Sequence, residues 1–308
     1  MPDLKSRLTE KPGVPDTLWQ EAHPLWGDAE FKVQVYTLEF ILRGLDTTII
    51  SLLHHLQMEE GTIPVRSQIP INVLKSPVSQ FKTIYMTDRE YRITFENTDS
   101  FVLFYGYFFA ARFCFETNKI ELFLAQAKPE TLAAELDNFL RVASSLYLQQ
   151  QQIFLFHSAA VSVNHSTFVF FGPHNAGKST MALLSPPASL VLGDDLNALV
   201  LKQDGLYVAS LPFPSEMIRN RPQLELPVTA LFKLEKDEDF YFSSMSPAEK
   251  IAALYGSMPV LNQRLDDFTA FREVLLAVSG SVPLCRLHFT LQPEVFSWLL
   301  QNRNSIPR

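Results

Sequence analysis

The stretch STFVFFGPHNAGKSTMALL, residues 166–184, joins an apolar run to a glycine-bearing loop and then to a short helical pattern. Residues 172–179 fit the spacing G-x4-G-K-S. In such a loop successive backbone N–H groups turn inward around a phosphate, and the N-terminus of the following helix adds partial positive charge. Gly172 and Gly177 let the backbone approach phosphate oxygens with no Cβ in the way. Lys178 can reach the β- and γ-phosphates, and the Ser179 hydroxyl offers a ligand position for Mg2+. The centre is unusual, because Pro173, His174 and Asn175 stand where a small residue and a glycine are customary. Asn tolerates left-handed φ better than other non-glycine residues, so Asn175 preserves the turn. Pro173 fixes φ and removes one donor. His174 either faces solvent or reaches toward the γ-phosphate. With Ala176 and Thr180 included, residues 172–180 form the expected nucleotide contact. A strand before the loop and a helix after it separate this reading from a chance surface turn.

Upstream, IFLFHSAAVSV (153–163) meets the second apolar run across Asn164 and His165, a two-residue turn that predicts a β-hairpin. The hairpin carries His157 back toward the loop, either as a satisfied core histidine or as a group near the γ-phosphate. Downstream, Pro186 and Pro187 end the helix early. SLVLGDD (189–195) then reads as a strand ending in two carboxylates. Alone, Gly-Asp-Asp is also a turn composition. Beside a phosphate loop, one of Asp194 and Asp195 can hold Mg2+ while the other accepts a proton from an attacking hydroxyl.

The chain has 308 residues, a net charge of −7 and 47% hydrophobic residues, enough for one large domain or two modest ones. Both halves are mildly acidic, which argues against a nucleic-acid partner, since backbone binding needs clustered Lys and Arg. The two cysteines, Cys114 and Cys285, lack metal or disulfide spacing and suit a reducing compartment. The first 26 residues are charged and proline-bearing, unlike a signal peptide. The longest apolar run, 100–115, is too short to span a membrane and is broken by Arg112. The expectation is a soluble, cytoplasmic protein with no membrane partner.

Residues 1–28 read as a lead-in. FKVQVYTLEFILRGL (31–45) suggests a strand, and TTIISLLHHL (47–56) a strand or a short helix. Residues 82–125 hold four alternating apolar runs separated by TDRE, NTDS and ETNK, the pattern of an antiparallel meander. Residues 128–152 are helical, with Leu132, Leu136, Phe139, Leu140, Val142 and Leu146 on a roughly 3.6-residue period. Beyond the carboxylates come a hairpin around Asp204 and Gly205, a strand (228–236) and a helix with Ser246 as N-cap and Glu249 in a capping box. A helix (266–281), a strand (282–289) and a closing helix (290–303) complete the chain. The expected organisation is a strand-rich α+β domain over 29–152 that recognises an acceptor, followed by a nucleotide-binding domain over 153–308, α/β overall with mixed sheets.

The combination FHSAAVSV, FVFFGPHNAGKST and LVLGDDL resembles the catalytic domain of HPr kinase/phosphorylase and its kinase relatives. The resemblance covers about residues 153–300 and is most specific over 153–197. It implies a phosphoenolpyruvate-carboxykinase-like fold, with Asp194 as base toward a serine hydroxyl and His157 catalytic beside it. It further implies Lys178 on phosphate, and Ser179 and Asp195 near Mg2+. His174 and Asn175 replace the usual Ser-Gly, and Thr180 replaces an acidic residue. The Gly-rich downstream signature is absent, and residues 1–150 do not match that family's N-terminal domain, so HPr is not the expected substrate. The expected activity is transfer of the γ-phosphate of ATP, with Mg2+, to a hydroxyl of a peptide, protein or small molecule, serine foremost. The alternative is a nucleotide-binding regulatory or scaffold protein with little turnover. Glu216, Arg219 and Arg221 are candidate phosphate or acceptor contacts, or simply a solvated loop. The nucleotide preference and a homo-oligomeric state stay open.

Overall fold

Every residue of Ser166–Phe171, the strand that leads into the glycine loop, is buried. Alternation explains how: Phe168 and Phe170 enter one apolar cluster, Val169 and Phe171 another on the opposite face. These positions come from a computed structural model that describes residues 17–20, 22–59, 61–76, 93–98, 100–114, 116–213, 223–259 and 268–307. The chain divides into two units, 1–33 with 40–54 and 68–141, and 34–39 with 55–67 and 142–308.

The first unit contains α1 (Thr17–Gln20), β1 (Ala29–Val35), β2 (Leu38–Leu45), α2 (Thr47–Leu52) and β3 (Ser67–Ser76). It continues with β4 (Thr94–Asn97), β5 (Phe101–Tyr105), β6 (Phe109–Cys114), β7 (Lys119–Ala125) and the start of α3 (Pro129–Gln149), which belongs to the second unit from residue 142. The sheet order is β1-β2-β3-β7-β6-β5-β4, with β3 parallel to β7 and an antiparallel meander from β4 to β7. The expected meander is present over 94–125, where the run 100–115 is two strands, β5 and β6; its first run, 82–86, lies outside the described residues. All six apolar positions expected on the helical period of α3 are buried. Phe139 stacks on Phe104 at 5.9 Å between ring centroids.

Three expectations change. The run 31–45 is two strands, because the chain turns at Tyr36, which takes φ 54 without glycine or asparagine to mark it. The ambiguous run 47–56 begins as helix, and Asp46 caps it by accepting from Thr48 N at 2.7 Å. Within the expected lead-in, residues 1–16 and 21 lie outside the described residues, whereas Leu18 is fully buried and Trp26 N donates to Val73 O at 3.2 Å.

The second unit is built on a nine-stranded mixed sheet. Its elements are β8 (Ile153–Val163), β9 (Ser166–Phe171), α4 (Lys178–Leu183), β10 (Leu190–Gly193), β11 (Leu196–Lys202), β12 (Gly205–Ala209) and β13 (Glu225–Pro227). Then come β14 (Ala230–Lys236), β15 (Tyr241–Ser243), α5 (Pro247–Gly256), α6 (Phe268–Ser281), β16 (Leu284–Phe289) and α7 (Val295–Gln301). The order is β13-β12-β11-β8-β9-β14-β16-β15, and β10 also pairs with β8. Strands β9, β14 and β16 are parallel, and the remaining pairings are antiparallel. Leu254 of α5 and Leu275 of α6 pack into the cluster on one face. Met181 of α4 and Phe296 of α7 pack into the cluster on the other. The protein is therefore a mixed α/β chain with two mixed sheets. No helix among the described residues is long and apolar enough to cross a membrane.

Candidate functional site

The β8–β9 hairpin turns at Asn164 and His165, both at positive φ (47 and 61), as the two-residue turn requires. Its register sets Ser158 opposite Phe171, so His157 arrives beside the first residue of the glycine loop. The loop itself uses three positive φ values: Gly172 at 150, Asn175 at 62 and Gly177 at 110. Asn175 thus occupies the left-handed region its residue type allows. At Gly177 a side chain is barred twice, by φ and by Phe289, whose Cζ would stand 2.8 Å from a Cβ. Pro173, His174, Asn175 and Ser179 are exposed. Ala176 is buried.

Lys178 is buried at the first position of α4, and its Nζ donates to Gly172 O and Pro173 O, both at 3.0 Å. Burial pulls its pKa below the usual lysine range, and the charge of Asp195 opposes that shift. The lysine is held over the loop's own entrance, with a carboxylate near enough to act on it electrostatically.

The expected strand end at the acidic pair is an interruption. β10 and β11 run antiparallel along the same strand, Leu190 to Gly193 opposite Ser162 to Ala160 and Leu196 opposite His157. Asp194 and Asp195 fall in the break between them. Their environments differ sharply: Asp194 is 1% exposed, whereas the Asp195 side chain is 38% exposed. Asp195 Oδ1 lies 3.2 Å from His157 Nε2, and Ser158 N donates to Asp195 O at 3.1 Å. His157 N donates to Ser257 O at 2.7 Å, fixing the backbone that carries the imidazole.

No protein-family model matches the chain, and no curated protein matches it. Among solved structures, the HPr(Ser) kinase/phosphatase from Coxiella burnetii is similar at a TM-score of 0.29 and 14% identity, over 49% of this chain and 96% of that one. The likeness is weak. It assigns neither a fold family nor a reaction to this chain.

The structure brings His157, Lys178 and Asp195 together at the glycine loop, with Ser179 exposed at the start of α4, and sets Asp194 behind them in the core. Glu216, Arg219 and Arg221 lie outside the described residues. Two residues absent from the sequence reading support the site. Asn197 is fully buried, and its Nδ2 donates to Ser158 O at 2.8 Å and Ser158 Oγ at 3.0 Å. An asparagine inside the apolar run LNALVL was the visible signal, because a buried amide needs partners. Among the described residues no group of three or more His, Cys, Asp or Glu is placed to hold a metal. Ser179 and Asp195 are, however, the exposed oxygen donors that Mg2+ takes when phosphate oxygens and waters complete its shell.

Proposed function

We propose that this chain is an ATP- and Mg2+-dependent phosphotransferase that moves a γ-phosphoryl group to a hydroxyl, serine of a peptide, protein or small molecule. One observation carries the reading: the His157–Asp195 pair stands at the mouth of a loop whose φ values and buried Lys178 suit phosphate. In-line phosphoryl transfer asks mostly for positioning and charge stabilisation. The loop N–H groups of 172 and 174–180 orient the phosphates, and Lys178 balances charge that builds on the transferred group. His157 is held by Asp195 through Nε2 at the same place. Ser179 and Asp195 would hold Mg2+, which supplies charge neutralisation across the β- and γ-phosphates. Asp194 would accept the proton of the acceptor hydroxyl.

This reading extends to a phosphoenolpyruvate-carboxykinase-like kinase domain over 153–308, with a cytoplasmic location. Acceptor recognition falls to the first unit, whose edge strands among the described residues, β1 and β4, suit an extended peptide. The burial of Asp194 favours a second reading, because a general base must reach its substrate. In that reading the chain binds nucleotide as a regulatory or scaffold protein and needs no base.

The experiment is incubation of the full chain with γ-labelled Mg-ATP and a peptide and metabolite library, read by mass spectrometry. Phosphorylated product that disappears in Asp194→Asn supports the transferase with that base. Product lost only in Asp195→Asn moves the base to the exposed carboxylate. Tight Mg-ATP binding with no product in any arm supports the second reading.

A further inference from the structure

We propose that Ser243 is the nucleophile of a second site, one that accepts acyl groups from activated esters, assembled from Ser243, His288 and Asp237 at the edge of the nine-stranded sheet.

β15 is an edge strand among the described residues, and its register pairs Tyr241 with His288 and Ser243 with Arg286. Directly paired residues share one face of a sheet, so all four side chains project together. Ser243 Oγ lies 2.9 Å from His288 Nε2, and His288 Nδ1 lies 3.1 Å from Asp237 Oδ2. The same Oδ2 accepts from Tyr241 OH at 2.8 Å, while Glu238 N donates to Oδ1 at 2.7 Å. These donors, the Tyr241 hydroxyl first, hold the Asp237 carboxyl below the usual carboxylate range. An ionised carboxylate facing Nδ1 keeps the proton on that nitrogen and leaves Nε2 free to accept the Ser243 O–H. This is the order nucleophile, base, orienting group that activates a serine hydroxyl, and it is recognised by geometry rather than by chain position.

Two further features fit a working site. The Tyr241 ring stacks on the imidazole, 4.0 Å between centroids and 6° between planes, which fixes the ring plane. Arg286, paired with Ser243, donates from Nη1 to Ser244 O at 3.1 Å and from Nη2 to Glu249, which holds the backbone next to the hydroxyl in place. The side chains of His288 and Asp237 are 17% and 35% exposed, and that of Tyr241 is exposed, so a small ester can approach from solvent.

The chemistry balances without a cofactor. Ser243 Oγ bonds to the ester carbonyl carbon as its proton passes to His288 Nε2. The bond from carbon to the alcohol oxygen breaks, and His288 returns the proton to that oxygen. Water then bonds to the acyl carbon, gives its proton to His288, and the acyl–Oγ bond breaks as Ser243 is reprotonated. The net change is ester plus water to acid plus alcohol. None of these residues belongs to the phosphate loop or the acidic pair, so the site stands or falls independently of phosphotransfer.

The test uses the full chain with a fluorophosphonate probe, mapped by mass spectrometry, and with p-nitrophenyl acetate as a chromogenic ester. The expected result is label on Ser243, and ester turnover that falls at least tenfold in Ser243→Ala while ATP binding is unchanged. Asp237→Asn, which keeps the nucleophile but reverses the tautomer, should slow labelling about a hundredfold or more. A wild-type chain that takes no label, or label and turnover that persist in Ser243→Ala, overturns the proposal.

Discussion

His157 Nε2 and Asp195 Oδ1 stand 3.2 Å apart, on side chains of equal exposure, 38% each. His157 lies on β8 and Asp195 in the break between β10 and β11, and that break lets the carboxylate turn toward the imidazole. If the pair works as a unit, the loss of either member disarms the other. Asp195→Asn and His157→Gln should each lower kcat by about a hundredfold or more. The double variant should lose little beyond the worse single. Steady-state kinetics over the full cycle checks this, and additive losses would mean that the two side chains act separately.

The unusual loop centre yields a sharper contrast. Asn175 holds φ at 62, which glycine adopts freely and alanine does not. Asn175→Gly should therefore leave stability and Mg-ATP affinity within about twofold of wild type. Asn175→Ala should cost about 1–2 kcal/mol through the left-handed backbone. Urea denaturation and nucleotide titration of both variants give the comparison. Equal behaviour would show that the side chain, rather than its backbone, matters to the loop.

The hairpin, the loop and α4 were legible because each rests on local chemistry: Asn at a two-residue turn, glycines at a phosphate spacing, prolines that stop a helix. The capping box at Ser246 and the helical period of α3 belong to the same class. What escaped is set by register. Asp194 and Asp195 are neighbours in a turn-like run, and only pairing with β8 buries one and exposes the other. Tyr36 turns the chain without a turn residue, because the flanking strands impose the conformation. In β3, Ile69, Ile71 and Val73 alternate on the buried face, a short pattern in the sequence. His288 lies 45 residues from Ser243 and 51 from Asp237, so its meeting with them depends on the pairing of β15 with β16.

The start of α5 carries a pH dependence. Glu249 accepts from Ser246 N at 2.8 Å and from Ser246 Oγ at 2.9 Å, and it pairs with Arg286. The two Ser246 donors, then Arg286, hold its pKa down to about 2 from 4.5. A carboxylate depressed on folding contributes stability above its unfolded value and loses it as pH falls through the folded one. The contribution is therefore whole above about 4.5 and gone near 2, so Glu249→Gln should flatten the acid limb between them. Ser246→Ala, which removes the cap hydroxyl, should cost about 1 kcal/mol near neutral pH. Urea midpoints from pH 2 to 7 decide both, and an unchanged acid limb in Glu249→Gln would remove this box from the acid response.

Asn197 and Gly193 should be energetically coupled. A Cβ at position 193 would lie 2.5 Å from Asn197 Oδ1 and 3.1 Å from Leu196 O, so the amide is the nearer obstacle and the backbone the second. Gly193→Ala in the wild-type chain forces a fully buried side chain to move, an overpacking cost of about 1–3 kcal/mol. Asn197→Ala alone removes two buried hydrogen bonds to Ser158 and should cost about 1–3 kcal/mol. In the double variant the nearer collision is gone and the carbonyl contact remains. The Gly193→Ala penalty should then shrink without vanishing, giving a double variant more stable than the sum of the singles predicts. Urea unfolding of the four proteins measures the coupling. Strict additivity would show that Asn197 does not shape the break that positions Asp194 and Asp195, and its amide would then serve the core alone.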